Sequence, residues 1–301
     1  MLKHTFQHIH GIGEKTEKRI WREGVATWEA FLDAHNRLSL PQWQQDLACT
    51  ELEKSLKALE RRDAHYFSAK LPPALHWRLY SVFNQRIGYL DIETTGMVTG
   101  ESTITVIGLH DGKAPRVYIQ GQNLARFAED SEEFTLLVTY NGKQFDLPVI
   151  RRELGVPLEQ AHIDLRYPLA ALGYKGGLKK IERSVGLERE GPLSLLDGWS
   201  AVWLWRYHQQ GIPGALETLL RYNLEDVVHL PTLLALVYNT RVQQAPFPLE
   251  PISLPPLPEI PFGFDEAVIY RTLADTGRSV EVSSFPFSLP PVSLPRKMNE
   301  S

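Results

Sequence analysis

The sequence predicts an α/β protein whose core is a mixed sheet, three antiparallel strands followed by parallel ones, flanked by helices and preceded by a small helical unit. Three observations predict it. From Arg86 the chain runs through RIGYLDIETTG, STITVIGLHDG and PRVYIQG, short β-rich segments separated by glycine-containing turns, as in an antiparallel meander. A polar amphipathic segment from Asn123 to Glu133 then leads into the apolar run FTLLVTYNG, which reads as a buried strand reached through a helix. Residues 1–70 differ from both. They carry apolar and aromatic side chains at helical spacing (Ile20, Trp21, Trp28, Phe31, Leu32) with no sustained strand alternation.

The element order β-β-β-α-β-α follows, and helical patterns continue through LPVIRREL, GGLKKIERSVGL, WSAVWLWRYHQQ and ALETLLRYNLEDVVHL. Asp146 suits an N-cap and Pro213 an early-turn proline, so helix starts are expected at both. After about Asn239 the composition shifts, and about half of the chain's 21 prolines fall in this last stretch. Proline removes backbone donors and blocks helix continuation, so the end of the chain is expected to be extended or packed along the core surface. The expected organisation is a helical unit over 1–70, the α/β domain over 86–240 and a proline-rich tail over 241–301.

Composition narrows the classes of function. With 301 residues and 43% hydrophobic content the chain can bury a sizeable core. A single cysteine, Cys49, excludes an intrachain disulfide and any multi-cysteine zinc site, and fits a reducing compartment, so a cytoplasmic location is expected. The segment MLKHTFQHIHGIGEK lacks the apolar stretch of a signal peptide, and no run approaches the ~18 apolar residues of a membrane span. A net charge of −4 argues against coating nucleic acid by bulk electrostatics. It is compatible with a nuclease, because a site built of carboxylates lowers net charge while its bound cations attract phosphate.

The chemistry-bearing residues are acidic. In GYLDIETTG, strand alternation places Tyr89, Asp91 and Glu93 on one face and Leu90 and Ile92 on the other. Two like charges side by side repel unless a positive charge lies between them, and a divalent cation with oxygen ligands is the usual remedy. Asp146, in TYNGKQFDLP just past the buried strand and two residues before Pro148, by itself reads as a helix N-cap. Asp226 follows Tyr222 by four residues in RYNLEDVVHL, on the same helical face, and by itself it reads as a solvated acid.

Taken together these residues resemble the DEDD exonuclease superfamily in its tyrosine-bearing branch. Asp91-Ile92-Glu93 matches the first motif, Asn141 through Phe145-Asp146 the second, and Tyr222 with Asp226 the third; the histidine-bearing branch would need His where Arg221 stands. The resemblance covers about residues 86–238 and is similar in layout to the bacterial YprB-type ribonuclease H-like exonuclease-domain proteins, on YNGKQFDLP, GGLKKIERSVGL and YNLEDVVHL. It implies a ribonuclease H-like core and hydrolysis of DNA or RNA from a free 3′ end, with two Mg²⁺ or Mn²⁺ ions held by Asp91, Glu93, Asp146 and Asp226. Two such cations, ~4 Å apart, can activate water, stabilise the leaving oxygen and neutralise phosphoryl charge.

As the resemblance implies, Asp91 would bridge both metals, Glu93 and Asp226 would help hold the one that activates water, and Asp146 would support the second through water. Tyr222, protonated at neutral pH because its ordinary pKa is about 10, would orient the water. Asn141 and Phe145 are expected near the terminal nucleotide, with core packing an equal explanation for the ring. Lys143, Lys175, Lys179 and Lys180 are candidates for phosphate contacts or for an ordinary solvated face. Asp164 and Asp197 read as turn or cap residues and are left out of the site, and Asn223 and Glu225 have no assigned role. At the N-terminus, Gly11-Ile12-Gly13 before a helix resembles one half of a helix-hairpin-helix, although a turn between packed helices would look the same; His4, His8 and His10 are expected to be solvated or capping. Rival functions are a catalytically silent nucleic-acid-binding module and a structure-specific endonuclease.

Overall fold

The computed structural model describes residues 1–96 and 102–277; the end of the proline-rich tail lies outside the described residues. Helices α1 (Glu14–Arg22), α2 (Trp28–Ala34), α3 (Gln42–Glu60), α4 (Ala64–Lys70) and α5 (Tyr80–Phe83) precede the sheet, with a 3₁₀ segment Pro73–Leu79 between the last two. Strands β1 (Ile87–Thr94), β2 (Ile104–His110) and β3 (Pro115–Ile119) form the expected meander. The amphipathic segment is a run of short turns around α6 (Phe127–Asp130), leading into β4 (Leu136–Thr139). Then come α7 (Asp146–Leu154), β5 (Ala161–Asp164), α8 (Arg166–Ala171), α9 (Leu178–Ser184), α10 (Gly198–Gln209), α11 (Ala215–Val228), α12 (Leu230–Gln243) and α13 (Glu266–Asp275).

The strand order is β3-β2-β1-β4-β5, with β1–β2 and β2–β3 antiparallel and β1–β4 and β4–β5 parallel. This is a ribonuclease H-like mixed sheet. The central strand has neighbours of both senses, and its alternating side chains meet different layers on its two faces. Leu90, Ile92, Ile107, Leu109 and Leu137 pack with Phe127 and Phe134 and with Leu147 and Ile150 of α7. On the opposite face Ile87, Tyr89, Leu136, Val138 and Ile163 join the N-terminal helices and α12 in one cluster, while Val106 and Ile119 pack with α10, α11 and α13.

The helical unit is fastened to this cluster by a buried ion pair. Arg78 donates to both Glu17 oxygens, at 2.8 and 2.9 Å, and Glu17 also accepts the Phe6 N–H at 2.7 Å. The glycine turn that opens α1 packs on α3, where Gln44 Nε2 donates to the Gly11 carbonyl at 2.8 Å.

Four expectations need correction. His8 is buried and bonded to Ser55 Oγ at 2.9 Å, because it sits between Trp28 and Phe67 in the helical core. Pro213 precedes its helix: Gly214, in the left-handed region, is the N-cap and the helix begins at Ala215. Asp146 is the first residue of α7; the cap position belongs to Phe145, with no side-chain cap bond. The tail contains α13, capped by Asp265 accepting the Ala267 and Val268 N–H groups and anchored by buried Val268, Ile269 and Leu273. Strand β5 had no sequence signal of its own, since AHID is too short to show alternation.

Candidate active site

β1 carries Asp91 and Glu93 at its C-terminal end, opposite Gly108 and Val106 of β2, and the register shifts between Glu93 and Thr94. α11 crosses this end of the sheet and presents Tyr222 and Asp226 from one face. Oxygens of Asp91, Glu93 and Asp226 all lie within 4.8 Å of one another, the first acid partly exposed and the other two buried. Asp146 enters from the start of α7 and accepts the Ile92 N–H at 3.2 Å. A pocket of about 180 Å³ is lined by all four acids together with Tyr222, Asn141, Phe145 and Tyr140, and by Gly198 and Val202 of α10.

The loop between β4 and α7 is built to hold this geometry. Asp164, at the end of β5, accepts the N–H groups of Asn141 at 2.7 Å, Lys143 at 3.1 Å and Arg166 at 3.1 Å. Asn141 has φ +67°, and its side-chain oxygen accepts from Arg166. Gly142 is needed where it is, because a Cβ there would lie 2.3 Å from Thr139 Oγ1. Asp164 is thus a turn residue and Asp197 caps α10 with a reciprocal Ser200 bond, as expected for both. Lys143 lies outside the pocket lining, exposed, with Nζ 5.9 Å from the Tyr167 ring. Lys179 points inward instead, its Nζ 4.3 Å from the Tyr222 ring centroid and bonded to the Leu196 carbonyl.

Crowded acids and burial set the electrostatics. Asp91 is held well above the usual carboxylate range by burial and then by Asp226, Asp146 and Glu93; Glu93 is raised by burial and Asp226. Burial pushes Asp146 up to about 7. Tyr222 is raised well above its ordinary value by burial and by Asp226 and Glu93, so its hydroxyl keeps its proton. Burial brings Lys179 down to about 8.

The counter-charge that sequence reading missed is Arg189. Its guanidinium, 3% exposed, contacts Asp226 and forks onto Glu182 at 2.8 and 2.9 Å. Glu182 in turn meets His229 Nδ1 at 2.9 Å. Arg189 lies in the coil after α9, 37 residues from Asp226 in sequence, where no local periodicity marks it. Asn223, also without an assigned role, donates Nδ2 to Asp91 Oδ2 at 2.9 Å.

No curated protein matches the chain. Among solved structures it is similar to a family B DNA polymerase from the hyperthermophilic archaeon Pyrobaculum calidifontis, at 21% identity and a TM-score of 0.40, over 50% of this chain and 25% of the polymerase. The match spans only a quarter of that protein. No helix among the described residues is long and apolar enough to cross a membrane. The family model RNase_H_2, of the RNase H superfamily, matches residues 88–238, half of the chain, including the acid pocket and all of the sheet but Ile87. The chain therefore belongs to the RNase H superfamily.

Proposed function

We propose that the protein is a metal-dependent 3′-5′ exonuclease of the tyrosine-bearing DEDD branch, similar to the YprB-type proteins, acting on DNA or RNA. The observation that carries the reading is the convergence of Asp91, Glu93 and Asp226 oxygens within 4.8 Å, in one pocket with Asp146 and Tyr222. The donor set fits a hard divalent cation. It consists of carboxylate oxygens alone, and their mutual repulsion is relieved by added positive charge, of which Arg189 supplies only part. Asp91, Glu93, Asp146 and Asp226 would hold Mg²⁺ or Mn²⁺, which supplies nucleophile activation and neutralisation of phosphoryl charge.

The chain's own groups position the reactants. Tyr222 keeps its proton and so orients the attacking water through a hydrogen bond rather than removing its proton. Asn141 and Phe145 flank the pocket on the side of the β4–α7 loop, where an amide and a ring can contact the terminal nucleotide. Lys143, exposed on that loop, would contact a backbone phosphate. In this reading residues 1–70 form an accessory helical unit, 86–240 the exonuclease domain and 241–301 a tail, and a cytoplasmic location suits the enzyme.

End-labelled single- and double-stranded DNA and RNA, incubated with Mg²⁺, Mn²⁺ or EDTA, test the proposal. Hydrolysis from the 3′ end that stops in EDTA is expected. Persistence in EDTA would overturn the metal mechanism, and cleavage of closed circles would point to an endonuclease.

Tyr222→Phe keeps the ring and deletes the hydroxyl. If that hydroxyl orients the water, turnover should fall by roughly 10- to 1000-fold with cation and substrate binding near normal. Full turnover in a less stable variant would make Tyr222 a packing residue.

A further inference from the structure

The acid on the central strand is gripped from behind. In the β1–β2 register Asp91 lies opposite Gly108, and α11 passes over this pair. A Cβ on Gly108 would fall 2.2 Å from Asn223 Oδ1 and 3.0 Å from Val227 Cγ2, far inside contact distance. The glycine therefore makes the space into which the fully buried Asn223 side chain fits. From there Asn223 Nδ2 donates to Asp91 Oδ2 at 2.9 Å, whereas Asn223 Oδ1 has no partner. Turning the amide over would set an acceptor against the carboxylate, so the donor-inward orientation is the favoured one. A buried, unpaired carbonyl oxygen costs on the order of 1–3 kcal/mol, so an apolar side chain of similar shape would serve packing as well or better. What the amide adds at this position is its bond to Asp91.

We propose that Asn223 is a positioning residue for Asp91, and that Gly108 is its structural counterpart. The amide holds Oδ2 and thereby fixes the Asp91 carboxylate beside Glu93 and Asp226, the arrangement in which three carboxylates can share a cation. Such outer partners of metal ligands commonly contribute 10- to 100-fold in metal affinity. The inference rests on the metal-dependent reading of the pocket, but it concerns how the ligand is held, and cation binding can be measured without any nucleic acid.

The test is titration of Mn²⁺ into the full-length protein and its variants, followed by calorimetry, with thermal unfolding and hydrolysis recorded on the same samples. Asn223→Ala should weaken Mn²⁺ binding by about tenfold or more, with unfolding temperature little changed. It should also lower turnover while leaving KM for the nucleic-acid end near normal. Gly108→Ala, which leaves every acid in place, should weaken Mn²⁺ binding in the same way by displacing Asn223. The double variant should bind Mn²⁺ no worse than Asn223→Ala alone, because the smaller side chain removes the clash. Wild-type Mn²⁺ affinity in Asn223→Ala would overturn the proposal, as would a double variant whose two losses simply add. If Gly108→Ala fails to fold, the Asn223→Ala titration decides alone. Hydrolysis keeps the two readings apart: a wild-type protein that binds Mn²⁺ in an Asn223-dependent way yet degrades no nucleic acid would sink the exonuclease reading and leave this inference standing. A wild-type protein that binds no Mn²⁺ would overturn both.

Discussion

Asp91→Asn should reduce hydrolysis by at least about 10³-fold, because it removes the charge of the acid on which Asp226, Asp146 and Glu93 all bear, where loss of cation binding removes several kcal/mol of transition-state stabilisation. The substitution is nearly isosteric and the new side chain can still accept the Asn223 amide, so the fold should be kept. The effect on stability should have the opposite sign in the cation-free protein. Asp91 and Glu93 are raised by burial and mutual repulsion, and Asp146 is raised to about 7. A carboxyl whose folded pKa lies above its unfolded value, about 4, adds stability fully below the unfolded pKa and loses it as pH rises through the folded one. In EDTA the wild type should therefore lose stability as pH rises from about 4, through about 7 for Asp146, and Mg²⁺ should restore more of it at pH 8 than at pH 5. Asp91→Asn removes one source of the repulsion, so its EDTA unfolding temperature at pH 8 should exceed that of the wild type. Normal hydrolysis by this variant would remove Asp91 from the site. An unfolding temperature at or below wild type at pH 8 would show that the cluster is not under electrostatic strain.

How much of this could be read from the chain follows from the range of each signal. Alternation in GYLDIETTG is a local property, and it put Asp91 and Glu93 on the face that meets α11, opposite Leu90 and Ile92. The four-residue spacing of Tyr222 and Asp226 is local too, and both line the pocket. Asp146 was ambiguous because an acid at a helix start satisfies capping rules whatever else it does; its carboxylate turns out to reach across to the Ile92 amide of β1 as well. The residues that neutralise and hold the acids were out of reach. Arg189 comes from coil, Lys179 from a lysine-rich stretch that reads as a solvated face, and the link between Gly108 and Asn223 exists only once α11 lies on β2. His8 and α13 failed for a related reason: short segments take their environment from partners distant in sequence, and composition alone made both look peripheral.

Arg189→Met should destabilise the cation-free protein by about 3–5 kcal/mol, the range for breaking a buried ion pair by removing one partner. The guanidinium is 3% exposed, Glu182 1% and Asp226 12%, so solvent screens this network little. Methionine fills much of the same volume but leaves Glu182 with His229 as its remaining partner and leaves Asp226 facing Asp91 and Glu93 with no guanidinium beside it. The loss should then depend on cation. Saturating Mn²⁺ supplies positive charge to Asp226 and should recover part of the stability, whereas nothing replaces the fork on Glu182. Arg189→Lys keeps a charge but cannot donate to Glu182 and Asp226 in one planar fork, and should fall between wild type and methionine. Urea unfolding of the three proteins in EDTA and in Mn²⁺ measures each term. A methionine variant as stable as wild type in EDTA would mean that Arg189 does not support Asp226, and the acid cluster would have to be balanced by Lys179 alone among the described cations that face it. A variant destabilised equally with and without Mn²⁺ would assign Arg189 wholly to Glu182, and the position of Asp226 would then be set by α11 itself.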